Sequence, residues 1–244
     1  MITVALIGAD GAGKTTIAQR LATSFPAPVR YLYMGMNPQS ANIALPTSRL
    51  LFALKVRKHR EAAKRATGKE PESVSLHSLG YRRNTRGRVG VALRLLHRLA
   101  EQSLRECASW SYRRRGYIVI YDRHFLFDFA HKGGSGARKS QLLSNRIQDW
   151  FLRHVWAKPD LVIFLDAPPE VLYQRKREVP VEYLRTRREA FLTARGSVTH
   201  FERVDASQDI EQVYAEVAQR VANFCSSKHP EKWRRRKDAA QQAL

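Results

Sequence analysis

The most constraining feature of the sequence is a short glycine-rich segment that follows directly on an apolar run near the N-terminus. Residues 2–8 form an apolar run of strand length, residues 8–15 (GADGAGKT) fit the pattern G-x-x-x-x-G-K-[ST], and residues 14–24 resemble a helix. Glycines let such a loop curl so that successive N–H groups point at one anion, and the positive end of the following helix adds to the attraction. The order of strand, loop and helix therefore predicts a phosphate-binding loop.

Each position of this loop has a predicted part in binding ATP. The Lys14 ammonium would bridge the β- and γ-phosphates, and the Thr15 hydroxyl would ligate Mg²⁺. A glycine-rich turn that binds no nucleotide is the alternative, and the strand before the loop and the helix after it argue against that alternative. The residues assigned to ATP binding are Gly8, Asp10, Gly11, Ala12, Gly13, Lys14, Thr15 and Thr16.

Four more apolar runs of strand length follow, and helix-like segments separate them. Strands separated by helices of ten or more residues indicate a parallel sheet that is covered on both faces. The sequence therefore predicts an α/β fold, the three-layer α/β/α architecture of a P-loop NTPase with a five-stranded parallel sheet. The later strands are expected at residues 29–34, 117–121, 161–165 and 200–204, and the helices at 89–115, 139–155 and 208–224.

The length and composition fit a single domain. The chain has 244 residues, and 43% of them are hydrophobic, which is enough for one α/β core. We expect this domain to span residues 1–226, with a basic helical insertion at about 36–95 and a helical lid at about 173–190. A basic C-terminal tail is expected at residues 227–244.

The cysteine content and the N-terminal residues predict a cytoplasmic protein. The two cysteines, Cys107 and Cys225, are far apart and outside any His/Cys cluster, which argues against a disulfide framework or a zinc site. The chain has no apolar run of about 18 residues, so no membrane-spanning helix is expected. Residues 1–7 lack the basic start of a signal peptide, and we interpret them as a buried strand.

The chain is strongly basic. Its 43 Lys and Arg residues against 22 Asp and Glu residues give a net charge of +21, which favours anionic partners such as nucleotides, nucleic acid or anionic lipid headgroups. The basic residues concentrate at residues 55–90 and in the tail around Trp233. A weak contact with a polyanion or an anionic surface through these two segments is one interpretation. A solvated basic surface on a protein that handles phosphates is the other.

Two aspartates are expected at the ends of buried strands, where ligands bind in open parallel sheets. Asp122 would hold a water of the Mg²⁺ shell or help position the acceptor. Arg123 would contact an acceptor phosphate, because its guanidinium suits bidentate contact. An Asp–Arg ion pair at the end of the strand is the alternative. We interpret Asp166, which ends the fourth strand, as a structural residue, and contact with the metal is the alternative.

A third basic segment follows the fourth strand. Residues 168–170 (PPE) open a helix, since proline suits a first turn, and this helix is expected to carry Arg175, Lys176 and Arg177. Six basic residues within fourteen fit a lid that closes over a transferred phosphoryl group and excludes water. We assign catalytic roles to Arg175 and Arg177. A solvated helix face paired with glutamates is the alternative. The six basic residues are Arg175, Lys176, Arg177, Arg185, Arg187 and Arg188.

Together these pieces resemble the thymidylate kinase family of nucleoside monophosphate kinases, over residues 1–35 and 98–225. The resemblance implies ATP and Mg²⁺ as ligands, a small-molecule acceptor and a homodimer. It also implies that Asp10 contacts the sugar hydroxyl of the acceptor and that Arg123 contacts its phosphate. Because Ala12 supplies no basic group in the loop, the resemblance places the catalytic arginine on the lid. The matching segments are residues 8–16, Asp122-Arg123, residues 165–170 (LDAPPE) and residues 204–207 (VDAS).

The acceptor side departs from the family pattern. The turn at residues 35–38 (GMNP) lacks the family's arginine, and Gln102 stands where the family tends to place a phosphate-binding arginine. Arg98 and Arg105, on the same predicted helix, are the candidates to replace it in binding the acceptor. His124 and residues 130–132 (AHK) stand where the family has an aromatic residue and a triplet that holds the base.

Three functions remain open at this level. The first is a nucleoside monophosphate kinase that acts on dTMP or a related pyrimidine nucleotide, with Lys14, Asp122, Arg123, Arg175 and Arg177 as catalytic residues and Thr15 and Asp122 at the metal. The second is a kinase of the same family with a non-nucleotide acceptor, such as a sugar, a glycolipid or another metabolite. The third is a nucleotide-binding protein that acts by binding a polyanion or a partner.

Overall fold

Five strands pair side by side in the structure, a computed structural model that describes residues 2–35, 40–67, 88–125, 127, 139–231, 233 and 234. All pairings are parallel, and the strands lie in the order β2-β3-β1-β4-β5. The predicted five-stranded parallel sheet of an α/β fold is thus confirmed. The strands are β1 (Thr3–Ile7), β2 (Val29–Tyr33), β3 (Ile118–Asp122), β4 (Leu161–Asp166) and β5 (Phe201–Asp205).

Helices cover both faces of this sheet. The helices in the described residues are α1 (Lys14–Ser24), α2 (Pro46–Thr67), α3 (Arg88–Arg114), α4 (Lys139–His154), α5 (Pro169–Arg175), α6 (Val181–Thr193) and α7 (Ile210–Lys228). One core cluster joins α1, α5 and α7 to the sheet, the other joins α3 and α4 to its opposite face, and α6 contributes to both. A 3₁₀ turn at Ala194–Ser197 follows α6.

The position of β1 explains why the glycine-rich loop lies at the centre of one edge of the sheet. Every residue of β1, β3 and β4 is buried, as expected for inner strands that are covered on both faces, whereas Val204 is the one buried residue of the edge strand β5. The chain leaves β1 for β2 and β3 on one side and then crosses to β4 and β5 on the other. Such a reversal of strand order marks the crevice where open α/β sheets bind ligands, beyond the carboxyl ends of the strands.

The lid differs from its prediction in one respect. We expected one helix to carry Arg175, Lys176 and Arg177, but α5 ends at Arg175 and α6 begins only at Val181. Pro180 restricts the residue before it to an extended backbone, so a helix cannot continue through this point. Lys176 and Arg177 therefore lie in a connection between two helices, and three other basic residues of the segment, Arg185, Arg187 and Arg188, lie on α6.

The predicted insertion and tail are described only in part. Residues 46–67 form α2, and residues 88–95 already belong to α3, whereas residues 36–39, 68–87 and 128–138 lie outside the described residues. The helix α7 continues to Lys228, and the ring of Trp233 in the predicted tail packs 5.8 Å from the ring of Phe25. Residues 235–244 are likewise outside the described residues. None of the described helices is both long and apolar enough to cross a membrane.

Candidate active site

The loop between β1 and α1 has a backbone shape that only glycine supports at several positions. Gly8, Gly11 and Gly13 have φ values of 155°, 91° and 79°. A Cβ on Gly8 would lie 2.6 Å from the carbonyl oxygen of Leu165, and one on Gly11 would lie 2.9 Å from that of Leu172. The loop is therefore curled tightly against the backbone of β4 and α5. This arrangement leaves its N–H groups at the start of α1 for an anion.

Lys14, the first residue of α1, folds back over this loop. Its side chain is buried, and its Nζ donates a hydrogen bond of 2.7 Å to the carbonyl oxygen of Ala9. Ala9 and Lys14 flank the curled segment, so the ammonium lies at the mouth of the loop. A phosphate bound by the loop would meet this positive charge directly.

Asp122, the last residue of β3, connects the loop to β2. Its Oδ2 atom accepts a 2.6 Å hydrogen bond from Thr15 Oγ1 and a 3.1 Å hydrogen bond from the Tyr31 hydroxyl. Burial raises the pKa of Tyr31, and the charge of Asp122 raises it further, so the phenol remains a donor. Asp122 is fully buried, and its Oδ1 atom accepts no hydrogen bond within the described part of the chain.

These oxygen atoms fit a Mg²⁺ ion. The Thr15 hydroxyl and the Asp122 carboxylate are hard oxygen donors, and Mg²⁺ in nucleotide sites is usually held by one or two such groups together with substrate phosphates and water. The Oδ1 atom of Asp122 is buried and has accepting capacity to spare, as a carboxylate at a cation site requires. The Thr15 hydroxyl and the Asp122 carboxylate thus fit the Mg²⁺ ion that the family resemblance implies.

Asp10 and Arg123 form an ion pair above the loop. Arg123 Nη2 lies 2.6 Å from Asp10 Oδ1. Burial acts to raise the pKa of Asp10, but Arg123 and Lys14 outweigh it and lower that pKa to about 2, and Arg187 acts in the same direction. Arg123 has a φ of 68°, which is uncommon for a residue other than glycine and is often found at functional sites. Asp10 and Arg123 are the two residues that the family resemblance predicts to contact the acceptor.

The structure places the two predicted catalytic arginines of the lid at the end of α5 and in the connection that follows it. Arg175 donates hydrogen bonds to the carbonyl oxygens of Ala206, Ser207 and Gln208, at 2.6, 3.0 and 3.2 Å. Its guanidinium thus ties the end of α5 to the loop that precedes α7. Arg177 is exposed in the connection between α5 and α6.

A different lid arginine points inward. Arg187 on α6 is only 9% exposed, and its guanidinium carbon lies 4.8 Å above the ring of Phe191. The following residue, Arg188, forms a bidentate ion pair with Asp166 at 2.6 and 2.9 Å. Arg203 Nη2 also contacts Asp166, at 2.6 Å, so the structural interpretation of Asp166 agrees with a carboxylate surrounded by two arginines.

The two arginines proposed for the acceptor side are engaged with the protein itself. Arg105 is buried and donates to the carbonyl oxygens of Gly35 and Ile43 and to the carboxylate of Glu101. Arg98 donates a 2.9 Å hydrogen bond to Gln148 on α4. Arg105 thus fixes the segment after β2 to α3, and Arg98 connects α3 to α4.

His124 belongs to an aromatic cluster. Its ring lies 5.4 Å from that of Tyr121, 6.0 Å from that of Phe125 and 6.4 Å from that of Phe127. Burial lowers the pKa of His124 to about 4, so the ring is neutral at physiological pH. The other departure that the sequence shows on the acceptor side, at residues 130–132, lies outside the described residues.

Sequence reasoning did not single out Tyr31 or Arg187 as site residues. Tyr31 is one aromatic residue within an apolar strand, and no local pattern indicates that its hydroxyl reaches Asp122. Arg187 had a detectable signal, because it falls between Leu184 and Phe191 in the inward-facing stripe of α6. An arginine in an apolar stripe is a candidate for a buried charge with a function.

Comparison with known proteins adds independent support for a nucleotide kinase-like function. No protein-family model matches the chain. A probable thymidylate kinase from Archaeoglobus fulgidus is 31% identical over 122 residues, which make up 46% of this chain and 57% of that relative. A probable thymidylate kinase from Pyrobaculum calidifontis is 27% identical over 223 residues, 88% of this chain and 92% of the relative. These distant similarities support a thymidylate kinase-like family for the chain.

Proposed function

We propose that the protein is an ATP-dependent phosphotransferase that moves the γ-phosphoryl group of ATP to a nucleoside monophosphate, dTMP or a related pyrimidine nucleotide. The observation that carries this proposal is the cluster of Lys14, Thr15 and Asp122 around a tightly curled glycine loop at the strand-order reversal. The two relatives named as probable thymidylate kinases favour a nucleoside monophosphate as the acceptor.

On the donor side, the chain binds and positions the triphosphate. The loop N–H groups would hold the β-phosphate, and the Lys14 ammonium would exchange the Ala9 carbonyl for phosphate oxygens. Thr15 and Asp122 would hold Mg²⁺, which when bound shields the charge of the β- and γ-phosphates. Tyr31 keeps the Asp122 carboxylate oriented toward Thr15 through its hydrogen bond to the same oxygen.

On the acceptor side, the Asp10–Arg123 pair is the natural place for a nucleoside monophosphate. Arg123 would turn to the acceptor phosphate, and Asp10 would then accept a hydrogen bond from a sugar hydroxyl. The low pKa of Asp10 keeps it a charged acceptor throughout the neutral pH range. The phosphate must compete with Asp10 for Arg123, so acceptor binding requires this ion pair to open.

A non-nucleotide acceptor is the second candidate function. It is favoured by the engagement of Arg105 and Arg98 with protein groups, because these were the residues expected to replace the family's phosphate-binding arginine. A sugar, a glycolipid or another metabolite would then accept the phosphoryl group at the same donor site.

The test is an ADP-release assay with ATP, Mg²⁺ and a panel of acceptors that contains dTMP, dUMP, UMP, CMP, nucleosides and sugars. Turnover with dTMP that disappears in Lys14→Ala would support the proposal. Turnover only with a sugar or a nucleoside would move the assignment to the second candidate. Absence of turnover with every acceptor, in a protein that still binds ATP, would contradict phosphoryl transfer to any of these classes.

We also propose that the protein forms a homodimer, as the family resemblance implies. The observation in favour is an exposed apolar face on α3, where Val89, Leu93 and Leu96 are 73%, 61% and 65% exposed and lie one helical turn apart. Light scattering after size-exclusion chromatography tests this. We expect a dimer for the unmodified chain and a monomer for Leu96→Glu, and a monomeric unmodified chain would contradict the proposal.

A further inference from the structure

The inward-facing stripe of α6 contains one charged residue. Leu184, Arg187 and Phe191 are the buried residues of this helix, and their spacing of three and four places them on one side. Leu184 and Phe191 belong to the two core clusters of the domain. Arg187 is thus the charged residue of α6 that lies buried among these apolar side chains.

Two contacts fix the orientation of this side chain. The guanidinium of Arg187 lies above the ring of Phe191 in a cation–π contact. The adjacent Arg188 forms its bidentate pair with Asp166 at the end of β4. Because neighbouring residues on a helix point about 100° apart, the Arg188–Asp166 pair sets the rotation of α6 and with it the direction of Arg187.

The packing of the lid brings α6 close to the phosphate loop through α5. The helix α6 packs on α5, and the α5 carbonyl oxygen of Leu172 lies against Gly11 in the loop. The charge of Arg187 contributes to the low pKa of Asp10, which lies beside Gly11. Lys14, Arg123 and Arg187 therefore gather at the loop around the carboxylate of Asp10, an arrangement that favours a highly charged anion.

We propose that Arg187, rather than Arg175 or Arg177, is the lid arginine that contacts the phosphoryl group transferred from ATP. This inference rests on the proposed function as an ATP-dependent phosphotransferase. Arg175 is held by three carbonyl oxygens of the loop before α7, and Arg177 lies exposed in a connection. Among the described residues of the lid, Arg187 is the arginine that is buried, on the side of α6 that also carries Leu184 and Phe191.

The chemistry suits a guanidinium at this position. During transfer, the bond between the γ-phosphorus and the oxygen that bridges it to the β-phosphate breaks, and that oxygen keeps the electron pair in ADP. A new bond forms between the γ-phosphorus and an acceptor oxygen. Arg187 gives no proton in this step. Its planar fork contacts two oxygens of the transferred group, and its charge is most effective where water is excluded.

The experiment compares Arg187→Met and Arg187→Lys with Arg185→Met as a matched control. Arg185 lies on the same helix but is exposed and pairs with Glu182 and Glu170. We expect kcat to fall about 100-fold or more in Arg187→Met and about 10-fold in Arg187→Lys, because arginines on a transferred phosphoryl group contribute strongly to its transition state. In Arg185→Met we expect a change within about twofold, as for other exposed ion pairs.

A second readout does not depend on turnover. Competition with a fluorescent ADP derivative gives the affinities for ADP and for AMP-PNP in the presence of Mg²⁺. We expect Arg187→Met to bind AMP-PNP about 10-fold more weakly while its affinity for ADP changes less than about twofold, because only AMP-PNP carries the γ-phosphoryl group. A purely structural role would weaken both ligands together.

The two readouts separate failure of this inference from failure of the proposed function. If no acceptor is phosphorylated, the proposed function fails, and the ratio of AMP-PNP to ADP affinity still decides on Arg187. An unchanged ratio and an unchanged kcat in Arg187→Met, with a large loss of kcat in Arg175→Met or Arg177→Met, would overturn the inference. If Arg187→Met does not fold, Arg187→Lys keeps the charge and the aliphatic stem and carries the same two measurements.

Discussion

The phosphate loop and the lid differ in how their functional groups are positioned at the candidate site. In the loop half, the functional groups are backbone N–H groups and side chains held by close neighbours, such as Thr15 on Asp122 and Lys14 on Ala9. In the lid half, two helices present long arginines, of which Arg175 is held by backbone carbonyls and Arg187 is stacked on a ring. Geometry in the loop is determined by its local sequence, whereas geometry in the lid is determined by tertiary contacts.

We expect the largest effect from neutralising Asp122, the carboxylate proposed to bind the metal in the loop half. Asp122→Asn keeps the shape of the side chain but removes the charge that faces Thr15 and the proposed Mg²⁺ ion. We expect kcat to fall about 10²–10³-fold, because charge on the transferred phosphoryl group is then poorly neutralised. Steady-state assays over a Mg²⁺ titration measure this. Thr15→Ser, which keeps the hydroxyl, is the matched control, and wild-type kcat in Asp122→Asn would contradict the assignment.

We expect the next largest effect from removing the ion pairs of Asp166, which connect the lid to the sheet. Asp166 is 3% exposed and pairs with Arg188 and Arg203, both partly solvated, so Asp166→Asn leaves two guanidinium groups without their carboxylate. We expect the free energy of unfolding to fall by about 2 kcal/mol, between the values for exposed and buried pairs. Denaturant unfolding tests this, and Asp205→Asn, an exposed carboxylate at the end of β5, serves as control. Equal stability of Asp166→Asn and the unmodified protein would contradict the structural role of Asp166.

A smaller effect is expected where Arg175 fixes the loop before α7. Arg175→Met removes three hydrogen bonds to carbonyl oxygens, so this loop should become less ordered next to the nucleotide. We expect KM for ATP to rise about 10-fold while kcat changes less, since several charged hydrogen bonds are lost outside the phosphate site. Arg177→Met is the control and should behave like the unmodified protein. A large loss of kcat with constant KM would instead support a catalytic role for Arg175.

The smallest effect concerns a buried carboxyl group outside the site. Burial raises the pKa of Glu106 on α3 to about 7, and Arg113 lowers it only in part. The folded state therefore binds this proton more tightly than the unfolded state, whose pKa is near 4.5, and stability falls as the pH rises from about 4.5 to about 7.

Replacement of Glu106 by Gln removes this titration. A pKa shift from 4.5 to about 7 corresponds to about 3 kcal/mol, and solvent screening of this partly exposed side chain reduces the expected effect. Relative to the unmodified protein, Glu106→Gln should therefore gain stability between pH 4.5 and pH 7 by an amount on the order of 1 kcal/mol. Thermal unfolding of both proteins across this range gives the difference. A difference in stability that stays constant with pH would show that Glu106 is not a buried acid.

Most of the fold and the positions of the residues in the proposed donor half of the site could be predicted from the sequence. The strand before Gly8, the glycines and the helix from Lys14 are adjacent in the chain, and Asp122 follows directly on an apolar strand, so short patterns indicate their positions. The break between α5 and α6 was missed, although Pro180 gives the physical reason for it.

The lid and acceptor side chains could not be assigned in the same way. An arginine reaches about as far as a helix is wide, so its partner depends on which elements pack nearby. Arg105 lies 70 residues from Gly35 and 62 from Ile43, and Arg188 lies 22 residues from Asp166. No local pattern indicates these partners, and similar arginines on one segment therefore have different roles.

The all-parallel sheet also determines the time at which the nucleotide site can form during synthesis. The register pairs Val4 of β1 with Ile120 of β3 and with Leu161 of β4. At roughly 5–20 residues per second, the ribosome needs about 8–30 s to make the chain from the first of these residues to the last. Through that interval, an apolar strand that is fully buried in the finished protein lacks at least one of its neighbours. Of these three strands, the one on which the phosphate loop depends is thus made first, and it is enclosed only when β4 has been synthesised.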